Sequence, residues 1–558
     1  MSRRPLANLL SASTTDIPAP SAPPARAPAR RVAIGRWDMT PARFYLGLIG
    51  VGLIVGALSL LIPSTPSYDP WAWSVGGREI VHINLQTTGG PSWKPLPMIF
   101  TTLFAPFGHA EPDLWLVVAR AGAFASVVMV GRLAMRFTRQ IGTHFFTAAA
   151  PAEGGLAAVG PGLLAAGVAM VGLTFTGGFI SDNALGYSEG LAAAAILIAI
   201  ERHLDGHQRQ AFAIGFLAAL DRPEIWLFWG PYGVYLWWKD PGARRLVLAL
   251  FVLIPILWFL PEYWGSGHFL RGASRAQHPR SNSPAFAKCP FCTEMVDHAW
   301  PTVLLRIKAA GVVLAGVVSF LLWRRWRRGG IGATRTLPAR AQLAAATAGV
   351  LGLAWFVVIA IMTQAGFSGN NRYLVIGSAL IDVCGAVGWG WATAEIISLI
   401  AGRVRRRKAG TGGAVGSPLA AAVVALAALA FVMLPDFIGP NLIDLGKTHG
   451  SLNYQARLRA GAGRVVAGYG GPAKLLRCGT VMTEGFQVPM VAWTLGVHTL
   501  SVQSSPPGNN PGPPPNVILQ TRSQRGHALL PIVHTWSSVK YVYAGHSGPF
   551  RLFTHCRA

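Results

Sequence analysis

Acidic residues are scarce in this chain of 558 residues, which holds 22 Asp and Glu against 48 Lys and Arg. Charged residues make up only 13% of the sequence, whereas hydrophobic residues make up 52% and the mean hydropathy is +0.41. This composition excludes an ordinary soluble globular protein and is typical of a polytopic membrane protein. The formal charge of +26 does not indicate nucleic-acid binding, because the Lys and Arg lie mostly in short clusters between apolar runs.

Several motifs of familiar enzyme classes are also absent. We find no Gly-rich phosphate loop, Walker lysine or HExxH motif and predict no GxSxG elbow, which argues against a nucleotide-driven pump or a standard hydrolase. Cysteines are few, and the single CxxC pair, Cys289 and Cys292, has no second pair to complete a zinc site. A short local disulfide is therefore the preferred interpretation. Cys384 lies within an apolar run and is predicted to be a small buried residue.

Long apolar runs are what the sequence does contain. A span needs about 20 residues at a rise of about 1.5 Å each. By this measure we predict eleven transmembrane spans, at residues 43–62, 113–134, 157–177, 185–202, 209–221, 223–238, 245–260, 302–323, 341–363, 374–401 and 417–436. The fifth and sixth adjoin at "ALDRPEIW" and are equally compatible with one broken hairpin that does not fully cross the membrane.

The distribution of positive charge sets the orientation. Eleven crossings that begin with the N-terminus inside put most Lys and Arg clusters on the cytoplasmic face, as the positive-inside rule requires. We predict a multi-pass protein of the cell membrane in three parts: a disordered cytoplasmic tail at 1–41, a transmembrane domain at 42–437 and an extracytoplasmic domain at 438–558. The acidic residues then gather on the outer face, several of them at the ends of spans.

The segment 438–558 reads as a small α+β domain. "NYQARLRAGAGRVVAGYGG" predicts an amphipathic helix and "QVPMVAWTLGVHTL" a helix or another buried element. "AKLLRCG", "VILQTRS", "VKYVYAG" and "FRLFTHC" are interpreted as strands. Cys478 and Cys556 bracket this segment, and a disulfide between them is expected in an oxidising envelope.

Asp69, in "SYDPWAW", follows the first span by a few residues and lies among Tyr68, Trp71 and Trp73. Two interpretations remain open. A carboxylate held at the outer membrane face is well placed to take a proton from an incoming hydroxyl group. Alternatively, the aromatic residues form an interfacial belt, and Asp69 only caps the following helix.

Basic residues at a similar depth suggest a phosphate ligand. Lys94 lies between Trp93 and Pro95 on the same outer loop and suits a phosphate at headgroup level, although it could equally snorkel to the interface. The other candidate cations at the outer face or inside a span are Arg372, Arg222 and Arg120. Because an intramembrane arginine is costly, Arg120 is expected to have a carboxylate partner or to face a polar cavity.

The series "YDPWAW", "GGPSWKPLP", "VVARAG", "GYSEGLAAA", "ALDRPEIW" and "NNRYLV", followed by "CG…VPMVAWTLGV…C", resembles the actinobacterial branch of the GT-C glycosyltransferases. The resemblance extends from Ala42 to nearly the C-terminus. It implies a GT-C-like, all-α polytopic fold of about eleven transmembrane helices with the small α+β domain outside. It also implies transfer of a sugar from a polyprenyl-phosphate carrier at the outer membrane face.

The resemblance further implies roles for individual residues. By position, Asp69 corresponds to the general base of the first outer loop, although many members have two neighbouring acids there and here the next acid is Glu79. The resemblance suits Lys94 and Arg372 as ligands of the carrier phosphate and places Glu189, Arg222 and Glu224 along the cavity. The predicted substrate-binding set also includes Tyr373, Trp71, Trp73 and Arg120. The reaction would invert the anomeric centre and would need no cofactor, with a divalent cation optional.

The expected partners are thus a polyprenyl-phosphate sugar as donor, a cell-envelope glycan or lipoglycan as acceptor, and membrane lipid. Nucleic acid is not expected as a partner. The main alternative is a transporter or flippase for a lipid-linked saccharide, which the broken "ALDRPEIW" corner favours. A wall-binding protein that is merely anchored by its helices is a weaker alternative, because eleven spans far exceed what an anchor needs.

Overall fold

The computed structural model describes residues 32–34, 37–141, 156–279, 283–298, 305–329, 337–408, 445–505, 512–522 and 528–556. The chain separates into two units, Met1–Gly50 and Val51–Ala558. In the first unit an antiparallel strand pair, β1 (Val32–Ile34) and β2 (Trp37–Met39), precedes the first helix. This pair lies within the segment 1–41 that the sequence predicts to be disordered, and the residues before 32 lie outside the described ones.

The second unit is mostly helical, and the first helix begins in the first unit and ends in the second. The helices are, in chain order, α1 (Pro41–Leu58), α2 (Tyr68–Val81), α3 (Pro95–Phe104), α4 (Glu111–Ile141), α5 (Leu156–Thr174), α6 (Phe179–Ala184), α7 (Glu189–Leu204), α8 (Gln208–Ala219), α9 (Trp226–Lys239), α10 (Arg244–Ser266), α11 (Arg271–Ala276), α12 (Pro290–Cys292), α13 (Leu305–Gly329), α14 (Leu337–Gln364), α15 (Val375–Lys408), α16 (Leu445–Gly468), α17 (Pro472–Cys478) and α18 (Val488–Leu495). A π-helix, Thr293–His298, follows α12.

Five helical stretches of the described chain are long and apolar enough to cross a membrane: Pro41–Leu61, Pro95–Ile141, Pro241–Ser266, Ala339–Gln364 and Asn371–Ala394. They coincide with the predicted spans at 43–62, 113–134, 245–260, 341–363 and 374–401. The predicted total of eleven is not confirmed. The predicted spans at 157–177 and 302–323 contain shorter apolar stretches, Val159–Thr174 and Lys308–Val317, and the span at 417–436 lies outside the described residues.

Helices α7, α8 and α9 replace three of the predicted crossings. They have 16, 12 and 14 residues, or about 24, 18 and 21 Å of helix, against a hydrocarbon core of about 30 Å. Helices α8 and α9 pack on each other around a turn at Pro223–Ile225. The "ALDRPEIW" corner is therefore a helical hairpin, one of the two alternatives that the sequence left open.

The segment between Pro63 and Pro112, predicted to be an outer loop, contains helices. Helix α2 begins at Tyr68, and α3 begins with Pro95 as its first residue, where a missing backbone N–H costs no hydrogen bond. Trp71, Trp73 and Val75 of α2 are buried. These contacts fix the start of α2, and with it Asp69, against the rest of the unit.

Six strands form the C-terminal sheet: β3 (Val481–Thr483), β4 (Val502–Ser504), β5 (Val517–Arg522), β6 (Leu529–Leu530), β7 (Val542–Ser547) and β8 (Phe550–Thr554). Their order is β4-β3-β5-β8-β7, with β6 beside β5. Strand β3 is parallel to β4 and β5, with Val481 opposite Val517, and the remaining pairs are antiparallel. Strands at "VILQTRS", "VKYVYAG" and "FRLFTHC" and helices at α16 and α18 are as predicted.

One predicted strand is wrong, because "AKLLRCG" forms helix α17. Pro472 starts this helix, and the segment lacks the β-branched residues that favour a strand. The structure joins Cys478 at its end to Cys556 in a disulfide, and Cys289 to Cys292 in another. Cys384 is buried in α15 with a free thiol.

Candidate functional site

A cavity of about 1090 Å³ lies within the second unit. Its walls come from the start of α2, the loop before α3, the region around α6, the α8–α9 corner, the end of α10, helix α11 and the turn before α15. Seven of the site residues predicted from the sequence line the cavity: Asp69, Trp73, Lys94, Arg222, Glu224, Arg372 and Tyr373. The fold thus brings together positions spread over some 300 residues of sequence.

Asp69 lies in the first turn of α2, where the positive end of the helix dipole favours a carboxylate. The start of this helix is tied to the loop before α7, because the Ser67 N–H donates to the Leu185 carbonyl at 2.9 Å. The Ser67 hydroxyl also lies 3.1 Å from the Tyr187 hydroxyl. The Arg372 guanidinium donates to an Asp69 oxygen at 2.5 Å. Asp69 is therefore held in the cavity wall by its helix and by one cation.

Glu189, the first residue of α7, lies behind the cavity wall and gathers three cations. One of its oxygens, Oε1, lies 3.2 Å from the Lys94 amine, 3.2 Å from the Arg222 guanidinium and 3.4 Å from that of Arg372. Its side chain is only 3% exposed. Asp69, Glu224 and Asp221 also lie close to these cations, so carboxylates balance the three positive charges, and an anionic ligand can bind by replacing one carboxylate as the partner of a cation.

The aromatic rings around these cations add to the wall. The Arg222 guanidinium lies 3.7 Å from the Tyr373 ring centre, and that of Arg372 lies 3.8 Å from the Tyr187 ring. The Lys94 amine lies 5.5 Å from the Trp73 ring. Arg222 also makes two hydrogen bonds to Glu224, of 2.7 and 3.2 Å. Each of the three cations is thus held by two carboxylates and at least one aromatic ring.

Three further groups belong to the site, although the sequence did not single them out as site residues. Tyr187 stacks under Arg372, and Asp221 lies 3.9 Å from the Lys94 amine with both oxygens buried. Asp182 lines the cavity. Its pKa is raised to about 7, mainly by burial, while Arg372 lowers the pKa and Glu189 raises it. The available signals were that Tyr187 lies within "GYSEG" and Asp221 within "DRPE", and that Asp182 and Asp221 are among the acids predicted at the outer face.

Arg120 and Trp71 of the predicted substrate-binding set do not line the cavity. Arg120 donates to the Ser59 and Ser64 hydroxyls at 2.8 and 2.5 Å and to the Ala184 carbonyl, so it joins α4 to the chain after α1 and to the end of α6. Trp71 is 2% exposed and packs in the core shared with the C-terminal segment.

The other end of the cavity is apolar. It lies beside two of the stretches that are long enough to cross a membrane, Pro241–Ser266 and Ala339–Gln364. Its apolar lining residues are Trp226, Trp258, Phe259, Ile359, Met362 and Phe367. A single cavity therefore joins a charged end to an apolar end at membrane-spanning helices.

The described residues contain no group of three or more His, Cys, Asp or Glu side chains arranged to hold a metal ion. The carboxylates at the charged end pair instead with Lys and Arg: Asp69 with Arg372, Glu224 with Arg222, and Glu189 with three cations. These residues do not fit a resident divalent cation.

The stretch Gly186–Gly190 matches the G-x-S-x-G pattern of hydrolase nucleophile elbows. That elbow joins a strand to a helix, whereas this stretch joins helices α6 and α7. The Ser188 hydroxyl accepts a hydrogen bond from Lys94 at 3.3 Å. A serine-hydrolase site is therefore not supported here.

No protein-family model and no curated protein matches this chain. Among solved structures, it is similar to ArnT from Cupriavidus metallidurans, both bound to undecaprenyl phosphate and in the apo state. The TM-scores are 0.45 and 0.46 and the sequence identities 15% and 14%, with 92% of this chain and 98% of each ArnT chain covered. At TM-scores below 0.5 this similarity does not decide the function, which rests on the cavity.

Proposed function

We propose that this protein is a membrane glycosyltransferase that moves a sugar from a polyprenyl-phosphate carrier to a cell-envelope glycan or lipoglycan. The observation that carries the proposal is the single cavity that joins Asp69 and a cluster of cations to an apolar wall at membrane-spanning helices. A donor of this class has the same three parts: an apolar chain, an anionic phosphate and a sugar. The enzyme would work at the outer membrane face, with its N-terminus in the cytoplasm and its C-terminus outside.

The donor would lie along the length of the cavity. The apolar end between α10 and α14 suits the first prenyl units, and the charged end suits the phosphate. Lys94 and Arg372 are the phosphate ligands in this arrangement, since Arg222 is held by two hydrogen bonds to Glu224. Arginine and lysine are well suited to this task, because both donate charge-assisted hydrogen bonds to phosphate oxygens.

Transfer would then be a single displacement. An acceptor hydroxyl attacks the anomeric carbon and gives its proton to Asp69, so that the new carbon–oxygen bond forms. The bond from the anomeric carbon to the phosphate oxygen breaks, and its electron pair leaves with polyprenyl phosphate. Lys94 and Arg372 stabilise the negative charge that develops on this leaving group. Attack opposite the leaving group inverts the anomeric centre.

The Asp69–Arg372 ion pair gives this mechanism an order of events. In the structure described here Arg372 donates to Asp69 at 2.5 Å. A donor phosphate that takes Arg372 as its partner leaves the Asp69 oxygens free to accept a hydrogen bond from the acceptor hydroxyl. Donor binding would thereby prepare the base for the acceptor.

The test is the variant Asp69→Asn, which keeps the shape of the side chain and removes its ability to act as a base. Purified protein in lipid is assayed for transfer from radiolabelled polyprenyl-phosphate sugars to membrane acceptors. We expect transfer to fall by roughly 10² to 10⁴-fold while donor binding is retained. Asp240→Asn is the matched control, because Asp240 pairs with Arg209 at the surface, outside the cavity lining.

The same assay separates this proposal from the main alternative. Equal transfer by wild type and Asp69→Asn would remove Asp69 as the base. An absence of transfer with every donor, together with movement of a lipid-linked saccharide across vesicles, would instead identify a transporter or flippase.

A further inference from the structure

Phe486, in the C-terminal segment, reaches the wall of the cavity. Among the described residues from 445 onwards, it is the one that lines the cavity wall. It belongs to a short 3-10 turn, Gly485–Gln487, between strand β3 and helix α18. Its side chain is partly exposed, whereas Glu484 and Gln487 on either side are each only 5% exposed. An aromatic ring is thus presented to the cavity by a turn whose other side chains are buried.

The turn that carries Phe486 is firmly held. The Phe486 N–H donates to the Glu484 carboxylate at 2.8 Å, and the Gln487 N–H donates to the Glu484 carbonyl at 2.9 Å. Helix α18, which follows directly, packs on α2, the helix that begins beside Asp69. The turn is therefore fixed relative to Asp69 by the contact between these two helices.

Tyr68 completes an aromatic surface next to the proposed base. The ring centres of Tyr68 and Phe486 are 6.2 Å apart, with the planes at 78°. Both rings are partly exposed and line the cavity, and Tyr68 directly precedes Asp69 in the chain. Because both rings line the cavity beside Asp69, a second molecule that approaches Asp69 through the cavity can contact them.

We infer that Phe486 and Tyr68 form the binding surface for a sugar ring of the acceptor; this inference rests on the proposed function. One face of a pyranose or furanose carries C–H groups, which pack on aromatic rings, and the rim carries hydroxyl groups. A ring on these two side chains directs a hydroxyl towards the adjacent Asp69 carboxylate. Acceptor recognition is then shared by α2 and the C-terminal segment, while Lys94 and Arg372 bind the phosphate of the donor.

The experiment measures binding of acceptor analogues without relying on catalysis. Mannose and arabinofuranose disaccharides are titrated into protein in lipid nanodiscs, and saturation-transfer NMR reports the bound sugar. We expect Phe486→Ala to weaken disaccharide binding by about 3 to 10-fold, whereas Phe486→Tyr keeps it within about 2-fold. Binding of a polyprenyl-phosphate sugar is measured in parallel and should be unchanged, which also shows that the variant is folded.

Tyr543→Ala is the control, because Tyr543 is another exposed aromatic of the C-terminal sheet, at 53% exposure, and does not line the cavity. Equal disaccharide binding by wild type and Phe486→Ala overturns the inference, as does a wild type that binds no disaccharide. Binding that depends on Phe486 in a protein without transfer activity would retain the sugar surface and reject the proposed reaction. The two proposals can therefore fail separately.

Discussion

Two carboxylates of the cavity, Asp69 and Glu189, differ in the number of cations around them. Glu189 places one oxygen within 3.4 Å of three cations and is 3% exposed, whereas Asp69 has one cation partner and is 15% exposed. Asp69 lines the cavity, whereas Glu189 does not, so a substrate hydroxyl in the cavity can reach Asp69 but not Glu189. This difference supports Asp69 as the proposed base and Glu189 as the residue that holds the cations in place.

Asp182 predicts how donor binding depends on pH. The pKa of Asp182 is raised to about 7, mainly by burial, while Arg372 lowers the pKa and Glu189 raises it. As the pH rises through about 7, Asp182 loses its proton and adds a negative charge beside the phosphate ligands. Because a phosphodiester donor keeps one charge over this range, we expect its affinity to fall between about pH 6 and pH 8.

The measurement is the dissociation constant of a polyprenyl-phosphate sugar across that pH range. In Asp182→Asn the affinity for the donor should stay close to the value that the wild type has at low pH, and it should change little as the pH rises. The same slope in both proteins would assign the pH dependence to another group. Free polyprenyl phosphate is a poor probe for this purpose, because a phosphomonoester titrates in the same range.

At the scale of elements, helices α13 and α15 approach each other through glycines. A Cβ atom built on Gly311 would lie 2.1 Å from the Gly385 carbonyl oxygen, and one on Gly388 would lie 2.0 Å from that of Gly311. Such a contact is possible only without side chains, as in other closely packed membrane helices. Near this glycine contact, the Lys308 amine of α13 lies 2.9 Å from an Asp382 oxygen of α15. The two charges are therefore paired inside the helix bundle.

Gly311→Ala is expected to destabilise the protein, because the added methyl group must separate the two backbones. Overpacking of this kind costs about 1 to 3 kcal/mol. Gly316, on the same helix, has no neighbouring atom within 4 Å of a built Cβ, so Gly316→Ala should be neutral or slightly stabilising. Thermal unfolding in detergent measures both variants. Equal melting temperatures for the two would show that the helices can move apart without loss.

At the scale of the whole molecule, the C-terminal segment and α2 share one core. Trp71 and Val75 pack among residues of α16, α18 and the C-terminal sheet. Arg78, also on α2, donates to the Trp493 and Val497 carbonyls at 3.3 and 2.7 Å. Helix α2 therefore presents Asp69 to the cavity at its start and contacts the C-terminal segment along its buried side.

Trp71→Ala tests whether Trp71 belongs to this core or to the substrate site. As a buried residue that lies away from the cavity, its loss should cost about 3 to 5 kcal/mol of stability and leave donor affinity unchanged at low temperature. Trp238→Ala is the control, because Trp238 is 75% exposed on α9. Unchanged melting temperature with weakened donor binding would return Trp71 to the substrate-binding set.

The fold could be predicted from sequence where the signal is local. Five spans, the helices α16 and α18 and three C-terminal strands follow from hydrophobic runs and periodicity. The number of crossings could not be predicted in the same way, because α7, α8 and α9 are apolar but too short to span. Helix α17 was predicted as a strand, since its apolar residues are too few to show a period.

By itself, the sequence determined the membrane class, the main spans and the residue types at the outer face, because hydropathy and charge are properties of neighbouring residues. Only the tertiary structure decided which of those residues meet. Asp69 and Arg372 are 303 positions apart and form an ion pair, whereas Trp71, two residues from Asp69, lies in a different core. Helical geometry is the reason: residues two apart on a helix point to different sides, and packing selects which side faces the cavity.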